Sequence, residues 1–310
     1  MRKKRKRKKR KKRRGRKNEY LGIPVKYPYD ELRLVQTKEG FYRIDPLPSE
    51  EDLAEYYKEE YYKKNHASYK QEYTEEKIES FIKKIKRRIH VLKNIFPYEP
   101  TTCLDVACGE GWGLKVFEDE GWEVTGLDYS TDACLKHNPE YADKIITGSL
   151  YDTLDDLAKR GEKYQVLNLD NILEHISDPY KLLAGCRQVI KPEGVMVIEI
   201  PNSDSKHWEY LFGRGLIDWR FACVAYPDHL SYFGIDSLRN ICDYSGFQEA
   251  AIVDLAYYGL KINGQEAHID DYLSTCPFKK VLRYYTAMAD LGLGGEIVGF
   301  WGVKNANTQD

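Results

Sequence analysis

A short stretch and one distant carboxylate have the types and spacing to hold a polar ligand. LDVACGEGWG, residues 104–113, supplies Asp105, Ala107, Gly109 and Gly111, and Asp128 closes the next apolar run in GLDYS. Glycines after a strand let the main chain approach a ligand with no Cβ in the way. A carboxylate 19 residues beyond Gly109 can accept two neighbouring hydroxyl groups, each bond strengthened by its charge. Further on, Glu174, His175, Ile176, Asp178 and Pro179 follow another apolar run, and His229 stands in PDHLSYF. Imidazole titrates near neutral pH, so His175 and His229 are the candidates for taking a proton from a substrate.

Such residues need elements to carry them. From residue 100 onward, TTCLDVA, EVTGLDYS, DKIITGSL, YQVLNLDNIL and GVMVIEIPN read as strands. GLKVFEDEG, TDACLKHN, YDTLDDLAKRG and DPYKLLAGCRQVIK read as helices between them. That alternation predicts an α/β fold with a doubly wound, mostly parallel sheet, whose ligands lie at the carboxyl ends of the strands. IDSLRNICDYSGF adds a helix, and QEAAIVDLAYYG and EIVGFWGVK add two strands, for seven in all. Inserts over 203–234 and 260–296 interrupt the pattern and are expected to form a substrate lid.

Upstream, TEEKIESFIKKIKRRIHVLKNIF keeps Ile78, Phe81, Ile82, Ile85, Ile89, Leu92, Ile95 and Phe96 at helical spacing. Thr74 is placed to cap this helix, with Glu75 and Glu76 at the positive end of its dipole. Its lysines and arginines are expected to be solvated on the other face. A shorter helix over 50–63 starts at Ser49-Glu50-Glu51. The chain thus divides into a basic tail (1–17), a Tyr-rich extension with helices (18–98) and the α/β domain (99–310).

Composition narrows the class. No apolar run reaches the roughly 18 residues of a membrane span, and the N-terminus has no apolar core of a secretory signal. The seven cysteines form no C-x-x-C pair, which argues against a disulfide framework or a zinc finger and for a reducing cytoplasm. Residues 1–17 hold 15 of the 48 Lys and Arg and no acid; the remaining 33 face all 49 acids, a balance of −16. The body is therefore acidic, and a nucleic-acid face on it is not expected. The tail repels itself and should be disordered. It is open to being a tether for nucleic acid or an anionic membrane, a nuclear address, or a segment without a role.

Two adenosine ligands suit a glycine loop. A dinucleotide loop wants G-x-G-x-x-G; here Gly109 and Gly111 match, but Leu114 takes the third place. The loop resembles instead the first motif of class I S-adenosylmethionine-dependent methyltransferases, an acid closing the first strand and then D-x-G-x-G-x-G. Ala107 departs from the family's glycine, and its methyl is tolerated if φ there is negative. NLDNILEHISDP is similar to the post-strand segment of small-molecule methyltransferases related to the ubiquinone-pathway O-methyltransferases. KPEGVMVIEIPN, DHLSYFGIDSLRNICDYSGF and GEIVGFWGVK match later parts of that pattern. The resemblance covers 100–310 and, more faintly, LPSEEDLAEYYKEEYY.

The resemblance implies S-adenosyl-L-methionine as cofactor and S-adenosyl-L-homocysteine as product. It implies cofactor contacts from Asp105, Ala107, Gly109 and Gly111, ribose contacts from Asp128 beside Tyr129, and adenine packing by Gly148, Ser149 and Leu150. Asp170 and Asn171 complete the set at the end of the fourth strand. The acceptor it implies is a small molecule or glycan intermediate, methylated first on oxygen, with nitrogen and carbon open. His175 then shapes the cofactor pocket or acts as base. His229 contacts the acceptor or acts as base, with Tyr226, Asp228 and Tyr232 as a polar wall and Trp208, Trp219 and Phe221 packing the lid. Residues 168–171 are Asn-Leu-Asp-Asn, not the N-P-P-[FY] clamp used to methylate amino groups. There is no Pro-Cys nucleophile where cytosine C5 methylation needs it, no G-x-S-x-G and no Walker loop. Asp170, Glu174 and Asp178 follow the fourth strand, but no metal site is expected. Two other readings stay open: a protein directed to RNA or another macromolecule through its tail, and a catalytically silent cofactor-fold scaffold.

Overall fold

The computed structural model describes residues 33–49, 52–53, 56, 70–204, 228–255, 260–262, 265–267 and 296–304. The chain opens with β1 (Arg33–Gln36), β2 (Tyr42–Asp45) and α1 (Glu75–Ile95). Then come β3 (Thr102–Val106), α2 (Trp112–Asp119), β4 (Glu123–Asp128), α3 (Asp132–His137) and β5 (Ile145–Thr147). Next are α4 (Leu150–Lys159), β6 (Tyr164–Asp170), α5 (Pro179–Val189) and β7 (Ile190–Pro201). After the first insert follow β8 (Ser231–Tyr232), α6 (Ile235–Tyr244) and β9 (Phe247–Leu255). A ribbon of β10 (Leu260–Ile262) and β11 (Gln265–Ala267) and the final β12 (Glu296–Val303) complete the order.

Seven strands form one sheet in the order β5-β4-β3-β6-β7-β12-β9. The first five are parallel, and β12 runs antiparallel between β7 and β9. Strands buried on both faces read as continuous apolar runs, and Tyr164–Leu169 of β6 are buried throughout. Successive residues go to opposite faces. Cys103, Val166, Val197 and Phe300 join the core under α1 and α2. Their neighbours Leu104, Leu167, Ile198 and Trp301 join the larger core under α4, α5 and α6. Each fully buried Leu or Ile contributes about 1.5–3 kcal/mol to this packing. Thr74 caps α1 by accepting from the Lys77 amide at 3.3 Å.

A second, antiparallel sheet, β1-β2-β8, has no forerunner in the sequence pattern. Tyr42 pairs with Tyr232 and Arg43 with Ser231, and the Ile44 amide donates to Leu230 O at 3.0 Å. The Tyr-rich extension is thereby stitched to the segment that carries His229. Phe41 anchors the join, with its ring 4.6 Å from that of Phe233.

Cys103, Cys108, Cys134, Cys186 and Cys242 are buried and unbridged. Among the described residues no helix is long and apolar enough to cross a membrane. The basic tail, most of the helix expected over 50–63 and most of both inserts lie outside the described residues, as do Trp208, Trp219, Phe221 and Tyr226.

Candidate functional site

The carboxyl ends of β5, β4, β3 and β6 lie side by side and gather the loop residues singled out above. After β3 the chain turns through left-handed backbone at Ala107 (φ +60°), Gly109 (φ +51°) and Gly111 (φ +78°). A negative φ at Ala107 was the condition for its methyl, and the structure corrects this. A left-handed residue with a Cβ costs about 1–2 kcal/mol. The turn is held by the Cys108 amide, which donates to Leu127 O at 3.0 Å.

The three glycines do different work. A Cβ on Gly109 would meet nothing within 4 Å, so this residue borders open space. Gly111 precedes α2 and caps it with backbone alone. At Gly113, a Cβ would lie 2.1 Å from Asp105 Oδ2. Asp105 is thus the floor beneath the loop, 3% exposed, and burial pushes its carboxyl up to about 7.

Asp128, at the tip of β4, accepts from the Gly109 amide at 2.9 Å and the Ser130 amide at 3.4 Å. Burial pushes its carboxyl up, and these amides oppose the shift. Tyr129 beside it is exposed. The Gly148 amide donates to Asp128 O at 2.9 Å, Ser149 starts α4, and the Leu150 side chain is buried in the core. Glu110, between the glycines, accepts from Tyr73 Oη at 2.6 Å, which fastens the approach to α1 onto the loop.

Asp170 and Asn171 end β6, and Asn171 is left-handed (φ +50°). Asp170 is taken by two cations from α1. Arg88 Nη2 lies 2.8 Å from Oδ2, and Lys84 Nζ lies 3.5 Å from Oδ1. Both cations also pair with Glu199, which is fully buried on β7. Burial would raise the Glu199 carboxyl, but Arg88 and Lys84 reverse this and hold it well below the usual range. The expectation that the cations of α1 are solvated is corrected here: Arg88 is 2% exposed. The signal was available, because Lys84 and Arg88 stand three residues after Phe81 and Ile85, on the apolar stripe itself.

The loop after β6 meets the segment before β8. The Leu230 and Ser231 amides donate to Glu174 O at 2.7 and 3.0 Å. His175 Nδ1 lies 2.6 Å from Asp228 O, so it is the donor, and 3.3 Å from Asp228 Oδ1; its Nε2 lies 3.7 Å from Glu174 Oε1. Burial would lower the His175 imidazole, but Asp228 and Glu174 outweigh it and raise it to about 9. The His175 and His229 rings meet edge to face at 4.8 Å, and Tyr232 Oη donates to His229 O at 2.9 Å.

Neither carboxylate oxygen of Glu174 has a hydrogen-bond partner among the described residues, and burial pushes the group up to about 7. Ligand atoms of Glu174, His175 and His229 lie within 4.8 Å of one another, a donor set that suits a divalent ion. The other acids after β6 are not part of it. Asp170 belongs to Arg88 and Lys84, and Asp178 caps α5 by accepting from the Lys181 amide at 3.0 Å.

A family model described as a methyltransferase domain matches residues 67–251. The ubiquinone biosynthesis O-methyltransferase of Pasteurella multocida is 34% identical over 116 residues, covering 34% of this chain and 48% of that enzyme. Its counterpart in Coxiella burnetii is 24% identical over 160 residues, covering 51% of this chain and 68% of that enzyme. The chain thus spans about half the length of the P. multocida relative. A SAM-dependent methyltransferase from Archaeoglobus fulgidus superposes with a TM-score of 0.48 at 21% identity, over 73% of this chain and 96% of that one.

Proposed function

The chain belongs to the methyltransferase-domain family that its residues 67–251 match, and we propose that it transfers a methyl group from S-adenosyl-L-methionine to an oxygen of a small molecule or glycan intermediate. One observation carries the donor half of this reading. The Gly109 amide is fixed on the Asp128 carboxylate at 2.9 Å while the Cβ direction of Gly109 is open. A cradle that a Cβ would fill, beside a carboxylate at a strand tip, fits a ribose-bearing ligand. Ala107, Gly109 and Gly111 would hold the donor with main chain, and Asp128 would accept its ribose hydroxyls. Tyr129, Gly148 and Ser149 would border the adenine, backed by Leu150. Asp170 and Asn171 would complete the site, with Asp105 as its floor.

Bound S-adenosyl-L-methionine supplies an electrophilic methyl group and departs as the neutral thioether S-adenosyl-L-homocysteine. The protein's own share is then alignment and removal of the acceptor's proton. Alignment alone is worth roughly 7–11 kcal/mol of barrier. At about 9, His175 keeps its proton at neutral pH, which leaves it to orient the crevice rather than act as base. His229, edge-on to it, is the group assigned to take the acceptor's proton, a contribution of about 10²–10⁴-fold.

A second reading of acceptor activation rests on Glu174, His175 and His229. A divalent ion held by these groups would polarise the acceptor oxygen, and its binding would release the His175 proton. The two readings separate on incubation of the protein with methyl-deuterated S-adenosyl-L-methionine and an acceptor extract, with and without a chelator. We expect a labelled O-methyl product that survives chelation; its loss with the chelator favours the ion, and no labelled product in any extract contradicts the methyltransferase reading.

A further inference from the structure

Arg88 is a buried cation on a helix that stands outside the alternating strand–helix pattern. Its Nε donates to Glu199 Oε2 at 3.1 Å and its Nη1 to Asn168 Oδ1 at 3.0 Å. Its Nη2 serves both Glu199 and, at 2.8 Å, Asp170. At 2% exposure and with both ends of the fork engaged, the guanidinium is committed to protein groups. Asn168 passes the link on, since its Nδ2 donates to Asp105 Oδ1 at 2.7 Å. The other oxygen of Asp105 is the one that lies against Gly113, at the start of α2. One side chain of α1 therefore reaches the end of β6 directly and the loop after β3 at second hand.

Stability alone does not account for this arrangement. Desolvating a guanidinium and a carboxylate costs several kcal/mol each, and apolar residues of similar volume hold a helix on a sheet as well or better. What a planar fork adds is fixed geometry at two carboxylates at once. Lys84, one turn earlier, shares Asp170 and Glu199 but contributes a point charge, with Glu296 at 3.8 Å.

We propose that Arg88 is a positioning residue of the methyl-donor site: it locks Asp170 directly, and Asp105 through Asn168, into one arrangement around the glycine loop. This rests on the reading of Asp170 and Asp105 as parts of that site. Arg88 touches no donor atom in this scheme; it acts only through the groups it holds.

The test uses the full chain with S-adenosyl-L-homocysteine as calorimetric probe and thermal melting alongside. Arg88→Met is expected to raise the dissociation constant by about tenfold or more. Asp170→Asn is expected to raise it as well, and the double variant to bind no more weakly than Arg88→Met alone. Arg88→Lys is expected to recover part of the loss, because an ammonium reaches one carboxylate but cannot fork. A purely structural arginine would lower the melting temperature and leave the dissociation constant unchanged below it, and that result overturns the proposal. Should Arg88→Met not fold, Asn168→Ala cuts only the Asp105 branch. It is expected to melt lower, because the buried Arg88 Nη1 loses its acceptor, and to weaken the probe about threefold when titrated well below that melting temperature; unchanged affinity there also overturns the proposal. Failure of the unaltered protein to bind the probe would remove the donor reading itself. Normal binding by the unaltered protein, Arg88→Met and Asn168→Ala alike would remove this inference alone.

Discussion

The imidazole of His175 donates its Nδ1 proton to the main-chain carbonyl of Asp228 at 2.6 Å, and so fastens the loop after β6 to the segment before β8. The neighbouring His229 meets His175 edge to face, with the two rings 4.8 Å apart. Acceptor chemistry is thereby assigned to a seam between residues more than fifty positions apart.

The seam predicts how His229→Ala should behave. Removing the imidazole should lower turnover about 10²–10⁴-fold and leave donor affinity unchanged. Steady-state kinetics with titration of S-adenosyl-L-homocysteine measures both. A variant that loses donor affinity while keeping turnover would move His229 out of the acceptor side.

Gly109 and Gly113 should fail in different ways. Gly109→Val directs a branched side chain into open space from a left-handed backbone. It should keep the fold, by circular dichroism, and abolish donor binding. Gly113→Ala places a methyl against Asp105 Oδ2 and should destabilise the protein by the 1–3 kcal/mol typical of overpacking. If Gly109→Val still binds the donor normally, the cradle is elsewhere.

These contrasts show how far the chain could be read unaided. The glycine loop, Asp128 and the seven strands are local patterns: short, largely continuous apolar runs, closed by glycine or an acid, in a repeating order. The sheet β1-β2-β8 was not legible. A two-residue strand carries no periodicity, and its partner lies far earlier in the chain. Arg88 was misread because its charge was weighed above its place on the apolar stripe. The left-handed φ of Ala107 has no signal in a single alanine; it follows from the turn that the Cys108 amide closes on Leu127.

Asp105 should leave a mark on the pH dependence of stability. Burial raises its carboxyl from an ordinary 3.8 to about 7, against the hydrogen bond from Asn168 and the pull of Arg88. Between those values the folded protein holds a proton that the unfolded chain has lost, so stability falls as pH rises through that window and the loss is complete above it. Asp105→Asn cannot titrate. Urea midpoints at pH 5 and pH 8 should therefore drop further in the unaltered protein than in Asp105→Asn. Equal drops would show that Asp105 ionises at its ordinary value.

The basic tail should be separable from methyl transfer. Deleting residues 1–17 removes 15 positive charges and none of the residues assigned to the site. Turnover on the small acceptor should be preserved. If that turnover is lost while the trimmed protein stays folded, or if RNA proves to be the methylated species, the acceptor lies in the macromolecular class instead.

The most direct measurement is calorimetric titration of S-adenosyl-L-methionine into the unaltered protein and into Asp128→Ala. One site per chain is expected in the first, weakened by roughly 1–3 kcal/mol in the second as the ribose hydroxyls lose their acceptor. Equal affinity in the two proteins, or no heat from either, would contradict it.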